Sequence, residues 1–120
     1  MIKEKEIQVI IDIKDEHIIS MDPYLADSLF FNLIKNAIMH NEQQGIIKID
    51  FDGEILNIQN SGSKLNFDGD IFKRFVRSSN KDSLGIGLSI VKRICDFYST
   101  LITYNYNQHH CFKLIFKNEE

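Results

Sequence analysis

Asp22-Pro23-Tyr24-Leu25-Ala26-Asp27-Ser28-Leu29-Phe30-Phe31-Asn32-Leu33-Ile34-Lys35-Asn36-Ala37-Ile38-Met39-His40-Asn41 decides how the rest of the chain is read. Asp22 offers a carboxylate to the unpaired N–H groups of a first helical turn, and Pro23 suits the first helical position, where no N–H is needed. Apolar residues then recur at helical period to about Asn41, which predicts the longest helix of the chain. Asn32 and Asn36 fall one turn apart, offset by roughly 40° around the axis, and share a stripe flanked by Leu25, Leu29 and Leu33. A buried carboxamide without a partner costs roughly 1–3 kcal/mol, so each must meet either an internal partner or a polar ligand. An amide oxygen also suits a hard cation such as Mg2+, which takes oxygen donors and usually keeps waters and substrate phosphates.

Upstream of this helix, Ile7, Val9, Ile11 and Ile13 alternate with Gln8, Ile10 and Asp12, predicting a first strand over about 6–13 with one strongly buried face. Downstream, Ile47, Ile49 and Phe51 lead into Asp52-Gly53, and Leu56 and Ile58 alternate on the way out. That pattern predicts a hairpin whose two central residues take positive φ. Asn60 continues the alternation onto the core face. There it either caps its own loop beside Gly62 or meets a flat heterocycle with exocyclic donors.

Asn60 to Lys64 is rich in turn formers, Ile71, Phe72 and Phe75 predict a short helix over 68–76, and the polar run 78–83 predicts a mobile loop. Gly85-Ile86-Gly87 then opens a second helix carrying Leu88, Val91, Ile94, Cys95 and Tyr98, and strands near 101–106 and 111–117 close the chain. Glycines ahead of a helix either cap or hinge it, or bring backbone N–H groups and the positive dipole end to a phosphate. Ile90 stands where a dinucleotide fingerprint needs a third glycine, and no Gly-Lys-Ser/Thr is present, so neither familiar phosphate loop fits. The order of elements predicts an α+β fold: a two-layer α/β sandwich with a mixed, mainly antiparallel sheet and helices on one face.

A chain of 120 residues suits one domain spanning 1–120. Its formal net charge of −3, with no Lys/Arg block, argues against a nucleic-acid partner, which would need a basic patch. Cys95 and Cys111 lack metal-ligand or CxxC spacing and sit among apolar residues, which predicts buried free thiols in a reducing compartment. The charged start 1–6 does not resemble a secretory signal, and no run approaches the ~20 apolar residues of a membrane helix. A cytoplasmic location without direct membrane contact by this domain is expected, leaving any anchor to the rest of a parent protein.

Three segments, in order, resemble motifs of one family. Asn32-Leu33-Ile34-Lys35-Asn36-Ala37 resembles the N box of bacterial sensor histidine kinases, Ile71-Phe72-Lys73-Arg74-Phe75-Val76-Arg77 their F box, and Gly85-Ile86-Gly87-Leu88-Ser89-Ile90-Val91-Lys92 their second glycine box. The resemblance runs from about 22 to 98 and is to the ATP-binding catalytic domain, in the superfamily shared with gyrase, ninety-kilodalton chaperones and mismatch-repair ATPases. It implies the Bergerat-type sandwich, with ATP and Mg2+ as cofactors. By resemblance Asn36 would ligate Mg2+ bridging the ATP phosphates, with Asn32 supporting it. Asn60 would take the place of the aspartate that reads the adenine amino group, Gly62 would let backbone approach the base, and His40 would stack on it. Leu65, Ile86 and Leu88 would line the nucleotide site, Gly85 and Gly87 would offer backbone N–H groups, and 77–85 would be a lid with Arg77 near the phosphates.

The implied reaction is presentation of the γ-phosphate to a histidine on a separate dimerisation domain, in a homodimeric parent that signals to a response regulator. No catalytic residue is expected within the chain itself. None of His17, His40, His109 or His110 heads the His-Glu/Asp pattern with a downstream proline that marks a phosphoacceptor helix. Lys64 stands where the first glycine box usually has a second glycine, and His109-His110-Cys111-Phe112 where Gly-Thr-x-Phe is usual. Two alternatives stay open: a degenerate nucleotide-binding regulator without phosphotransfer, and a serine kinase of anti-sigma type.

Overall fold

The computed structural model describes residues 5–65, 70–73 and 84–116, with side chains in the last segment from 87 onward. Its elements run β1 (Gln8–Ile13), α1 (Pro23–Met39), β2 (Ile46–Phe51), β3 (Ile55–Asn60), α2 (Leu84–Phe97), β4 (Leu101–Tyr106) and β5 (His110–Ile115). The five strands form one sheet in the order β1-β2-β3-β5-β4. Only β1 and β2 are parallel; the other neighbours are antiparallel. Both helices pack on one face, so the expected two-layer mixed sandwich is the observed one.

α1 starts where its cap demands. Asp22 Oδ1 accepts from the N–H groups of Tyr24 (2.9 Å) and Leu25 (3.2 Å), and the Asp22 carbonyl accepts the first helical bond from Ala26 (2.9 Å). At the far end Asn41 folds back, donating to the Ile46 carbonyl (3.1 Å) and accepting from the Glu42 N–H (2.9 Å), which steers the chain into β2. Leu29, Leu33 and Ala37 of α1 meet Val91 and Cys95 of α2 over Ile47, Ile58, Phe112 and Leu114 of the sheet, all essentially buried. Complete burial of such a side chain contributes roughly 1.5–3 kcal/mol. Burial also pushes the Cys95 thiol up to about 12, so Cys95 is a packing residue, while Cys111 is half-buried and free.

Three local expectations need correction. First, β1 has no buried face: Val9, Ile11 and Ile13 are 54, 63 and 46% exposed. Alternation specifies that they share a face, and the pairs Val9↔Ile47, Ile11↔Ile49 and Ile13↔Phe51 put that face on the helix side. However, the helices stop short of this end of the sheet, leaving an apolar cavity of about 240 Å³ under Phe30 and Ile34.

Second, the β2–β3 hairpin forms, but only Gly53 takes positive φ (100°). The Asp52 carboxylate caps the connection instead, accepting from Glu54 (2.9 Å) and Ile55 (2.8 Å), and those two N–H groups hold its pKa below the usual carboxylate value. Third, residues 70–73 form a turn, closed by Asp70 Oδ1 on the Phe72 N–H (2.9 Å) and by Lys73 N–H on the Asp70 carbonyl (3.2 Å). The Asp70 bond to the N–H two residues on repeats the one Asp22 makes at the start of α1, so it is a capping contact. The rest of the expected 68–76 helix and the expected loop 78–83 lie outside the described residues.

Candidate functional site

The helical stripe holding Asn32 and Asn36 faces α2, where it forms a cleft with Gly87 and Leu88; Lys35, Met39 and His40 complete the lining. The cleft measures about 20 Å³, room for one water or one ion. Asn32 is satisfied locally, its Nδ2 donating to the Ser28 carbonyl one turn back (2.7 Å). A Cβ on Gly87 would lie 3.1 Å from Asn32 Oδ1, so a glycine there lets α2 approach α1 closely. Asn36 differs, because its Oδ1 is buried without a hydrogen-bond partner among the described residues. A buried acceptor left unpaired costs roughly 1–3 kcal/mol, which makes the atom an outstanding demand on whatever enters the cleft.

A second orphan lies at the end of β3. Asn60 is 1% exposed; its Nδ2 donates to the Ser61 carbonyl (2.8 Å) while its Oδ1 is buried and has no partner among the described residues. The amide therefore caps its own loop with one end and leaves the other as an acceptor. His40 links the two sites: it lines the Asn36 cleft, and its carbonyl abuts Gly62 so closely that a Cβ there would overlap it. Gly62 has φ 143°, which independently favours glycine. Leu65, two residues beyond Ser63, packs against the core rather than in the cleft.

Gly85, Ile86 and Gly87 do not precede α2 but form its first turn, since the helix starts at Leu84. Their N–H groups thus belong to the set that helical geometry leaves unpaired at an N-terminus, the end carrying positive dipole charge. Arg77 lies outside the described residues. Among the described residues, no cluster of three or more His, Cys, Asp or Glu could hold a metal alone.

The sequence reading missed what fixes the loop after β3. His110 stands opposite Asn60 in the β3–β5 register and is 2% exposed. Its Nε2 lies 2.9 Å from the Ser63 carbonyl, which can only accept, so Nε2 carries the proton and Nδ1 accepts from the Tyr104 hydroxyl at 2.6 Å. Tyr106 donates to the Gly62 carbonyl (3.0 Å). Burial pulls the His110 pKa below 6.5, with His40 and His109 adding to the same direction against the Ser63 hydrogen bond. Burial likewise pushes the Tyr104 hydroxyl up to about 12. The alternation of Tyr104 and Tyr106 toward the core face was the available signal; Lys35, one position before Asn36, gave none.

The sequence model of the histidine kinase-, DNA gyrase B- and HSP90-like ATPases matches residues 21–119. The chain belongs to this ATPase family. Sensor histidine kinase HprS of Escherichia coli (strain K12) is 32% identical to this ATPase-family chain over 120 residues, covering 92% of it but 26% of HprS. The chain thus spans about a quarter of that relative. Among solved structures, the catalytic domain of histidine kinase ThkA superposes with a TM-score of 0.77 at 24% identity, over 90% of this chain and 78% of that one. Acinetobacter baumannii histidine kinase AdeS gives 0.72 at 24% identity, over 94% of this chain and 55% of that one. Full-length ShkA in complex with AMPPNP gives 0.66 at 20% identity, over 92% and 25%. These structures share the fold, and the family is one of nucleotide-binding domains. No helix among the described residues is long and apolar enough to cross a membrane.

Proposed function

We propose that this chain is the catalytic domain of a sensor histidine kinase: it holds Mg-ATP between α1, the α2 N-terminus and the loop after β3, and presents the γ-phosphate to a histidine carried by a dimerisation domain elsewhere in its parent. The observation that carries this reading is the pair of buried amide oxygens, Asn36 Oδ1 and Asn60 Oδ1, without partners among the described residues; His40 lines the Asn36 cleft and its carbonyl abuts Gly62, two residues after Asn60. Asn60 Oδ1 is an acceptor suited to the adenine amino group, with Gly62 leaving room for the base and His40 beside it. Asn36 Oδ1 is a hard oxygen suited to Mg2+, in a cleft of about 20 Å³. With no acidic cluster among the described residues to hold the ion alone, its remaining ligands would be phosphate oxygens and water. Bound magnesium would supply charge neutralisation on the phosphates.

Phosphoryl transfer depends mainly on alignment and electrostatics, so this chain's residues need only orient. The first-turn N–H groups of α2 would receive phosphate oxygens. Lys35 in the cleft, and Arg77, are the candidate cations. Asn32, held by Ser28, keeps the α1–α2 spacing, and Leu88 forms the apolar floor. In the parent, a homodimer brings the phosphoacceptor helix to this domain, and a response regulator receives the phosphate. The likeness to HprS in sequence and to kinase catalytic domains in fold supports this over a regulator without phosphotransfer or a serine kinase.

The test is to mix the chain with Mg-ATP and a separately supplied histidine-bearing dimerisation domain. Acid-labile phosphohistidine on that domain is the expected product. Nucleotide binding without transfer would favour the regulator, and acid-stable phosphoserine on a partner the anti-sigma type.

A further inference from the structure

The first strand raises a question that nucleotide binding does not answer. β1 is an outer strand of the sheet, and among the described residues β2 is its sole strand neighbour. It carries Val9, Ile10, Ile11 and Ile13 at 38–63% exposure. Its pairing with β2 is continuous from Gln8 to Ile13, without a bulge, and the strand has neither proline nor lysine. Those are among the usual devices that keep a sheet edge from pairing with another chain; charge is another, and Asp12 is the one charged residue of β1. β4, at the opposite edge, has its Ile102 buried beneath α2 and bears no charged residue.

The backbone directions on β1 are fixed. The Gln8 N–H donates to the Gly45 carbonyl at 3.0 Å, so Gln8, and by alternation Ile10 and Asp12, spend their backbone groups on β2. Ile7, Val9, Ile11 and Ile13 therefore turn theirs outward. An antiparallel partner must match outward residues with outward residues. A two-fold axis through Ile10 does this, setting Val9 against Ile11 and Ile7 against Ile13 of the other copy.

Side-chain chemistry agrees with that register. On the helix-bearing face all the opposed pairs are apolar. On the other face Ile10 meets Ile10, Gln8 meets Asp12, and Glu6 meets Lys14. Read about Ile10, the stretch Glu6-Ile7-Gln8-Val9-Ile10-Ile11-Asp12-Ile13-Lys14 is complementary to its own reverse in charge, hydrogen bonding and hydropathy. Shifting the axis to Ile11 keeps the backbone match but sets Asp12 against Ile10 and Lys14 against Gln8, losing the complementarity. Lys5 donates to the Ile38 and Met39 carbonyls (3.1 and 2.9 Å), anchoring the approach to Glu6 against the end of α1.

We propose that β1 is a self-association edge: two copies of the chain pair antiparallel through β1 about Ile10, joining their sheets edge to edge. The partner is a second copy because the complementarity is intramolecular in origin; an unrelated strand has no reason to mirror it. The interface is independent of the nucleotide site and of the kinase reading.

Charge reversal tests it on the intact chain by sedimentation equilibrium. The chain is expected to dimerise, Glu6→Lys to weaken the dimer at least about tenfold by setting lysine against Lys14, and Glu6→Lys/Lys14→Glu to restore it. Ile10→Cys places two thiols across the axis at a non-hydrogen-bonded pair, about 4.5 Å between Cα atoms, within disulfide reach. It is expected to cross-link under mild oxidation whereas Ile13→Cys does not. A chain that stays monomeric at about 100 μM, well above the Kd of a specific dimer, would overturn the proposal. So would a dimer indifferent to Glu6→Lys, or one whose Ile10→Cys variant fails to cross-link.

Discussion

Replacing Asn36 with leucine separates a residue kept for a ligand from one kept for the fold. Asn36 Oδ1 is buried and unpaired, so the ligand-free protein carries a cost of roughly 1–3 kcal/mol at that atom. Leucine has the same branched shape and number of side-chain heavy atoms, removes the orphan acceptor, lies beside the buried Leu33 and Ala37, and can put its extra methyl bulk into the cleft. Ligand-free stability is therefore expected to hold or to rise by up to about 1 kcal/mol, a shift of about 4 °C for a domain of this size. Nucleotide binding should move the opposite way. An interaction with a charged group is worth roughly 1.5–3 kcal/mol, so Mg-ATP affinity should fall roughly 10- to 100-fold, with much less change for ATP in EDTA. Denaturant titration and isothermal calorimetry on the same preparation measure both. If Asn36→Leu lost about 2 kcal/mol of stability while binding Mg-ATP as before, the asparagine would be a structural residue and the metal assignment wrong.

Other substitutions probe neighbouring parts of the account. Gly62→Ala, at φ 143° and against the His40 carbonyl, should cost about 1–3 kcal/mol in thermal or chemical unfolding and weaken ATP binding by displacing the loop. Leu33→Ala, at a fully buried position, should cost about 2–5 kcal/mol by the same assay without altering the residual fold seen by circular dichroism. His110 titrates in the folded state below its ordinary 6.5, so the unfolded chain binds more protons in the interval between the two values. Stability therefore rises with pH there, is complete above 6.5, and is lost as pH falls toward the folded value; His110→Gln should flatten that part of the melting-temperature profile.

Local chemistry made much of the architecture legible. Asp22-Pro23 named the start of α1, and alternation in 47–51 and 56–60 named strands and their core faces. What could not be read were consequences of distant packing. The period of β1 showed which side chains share a face but not that both helices leave that face uncovered. Asp52 had a capping option that competed with the expected turn, and only the surrounding chain decided. At the candidate site, Asn32 and Asn36 were equivalent in sequence, yet Ser28 bonds the first, while no described residue meets Oδ1 of the second. The His110, Tyr104 and Tyr106 clamp exists because β4 and β5 pair in one register opposite β3, a relation invisible along the chain.

The most direct measurement is a titration of isotopically labelled chain with Mg-ATP, following the side-chain amide resonances of its asparagines. Large shifts confined to Asn36 and Asn60 and their neighbours, with the Asn36 shift dependent on magnesium and the Asn60 shift dependent on an adenine rather than a guanine base, are expected. Saturating nucleotide that leaves both amides unmoved would contradict the account.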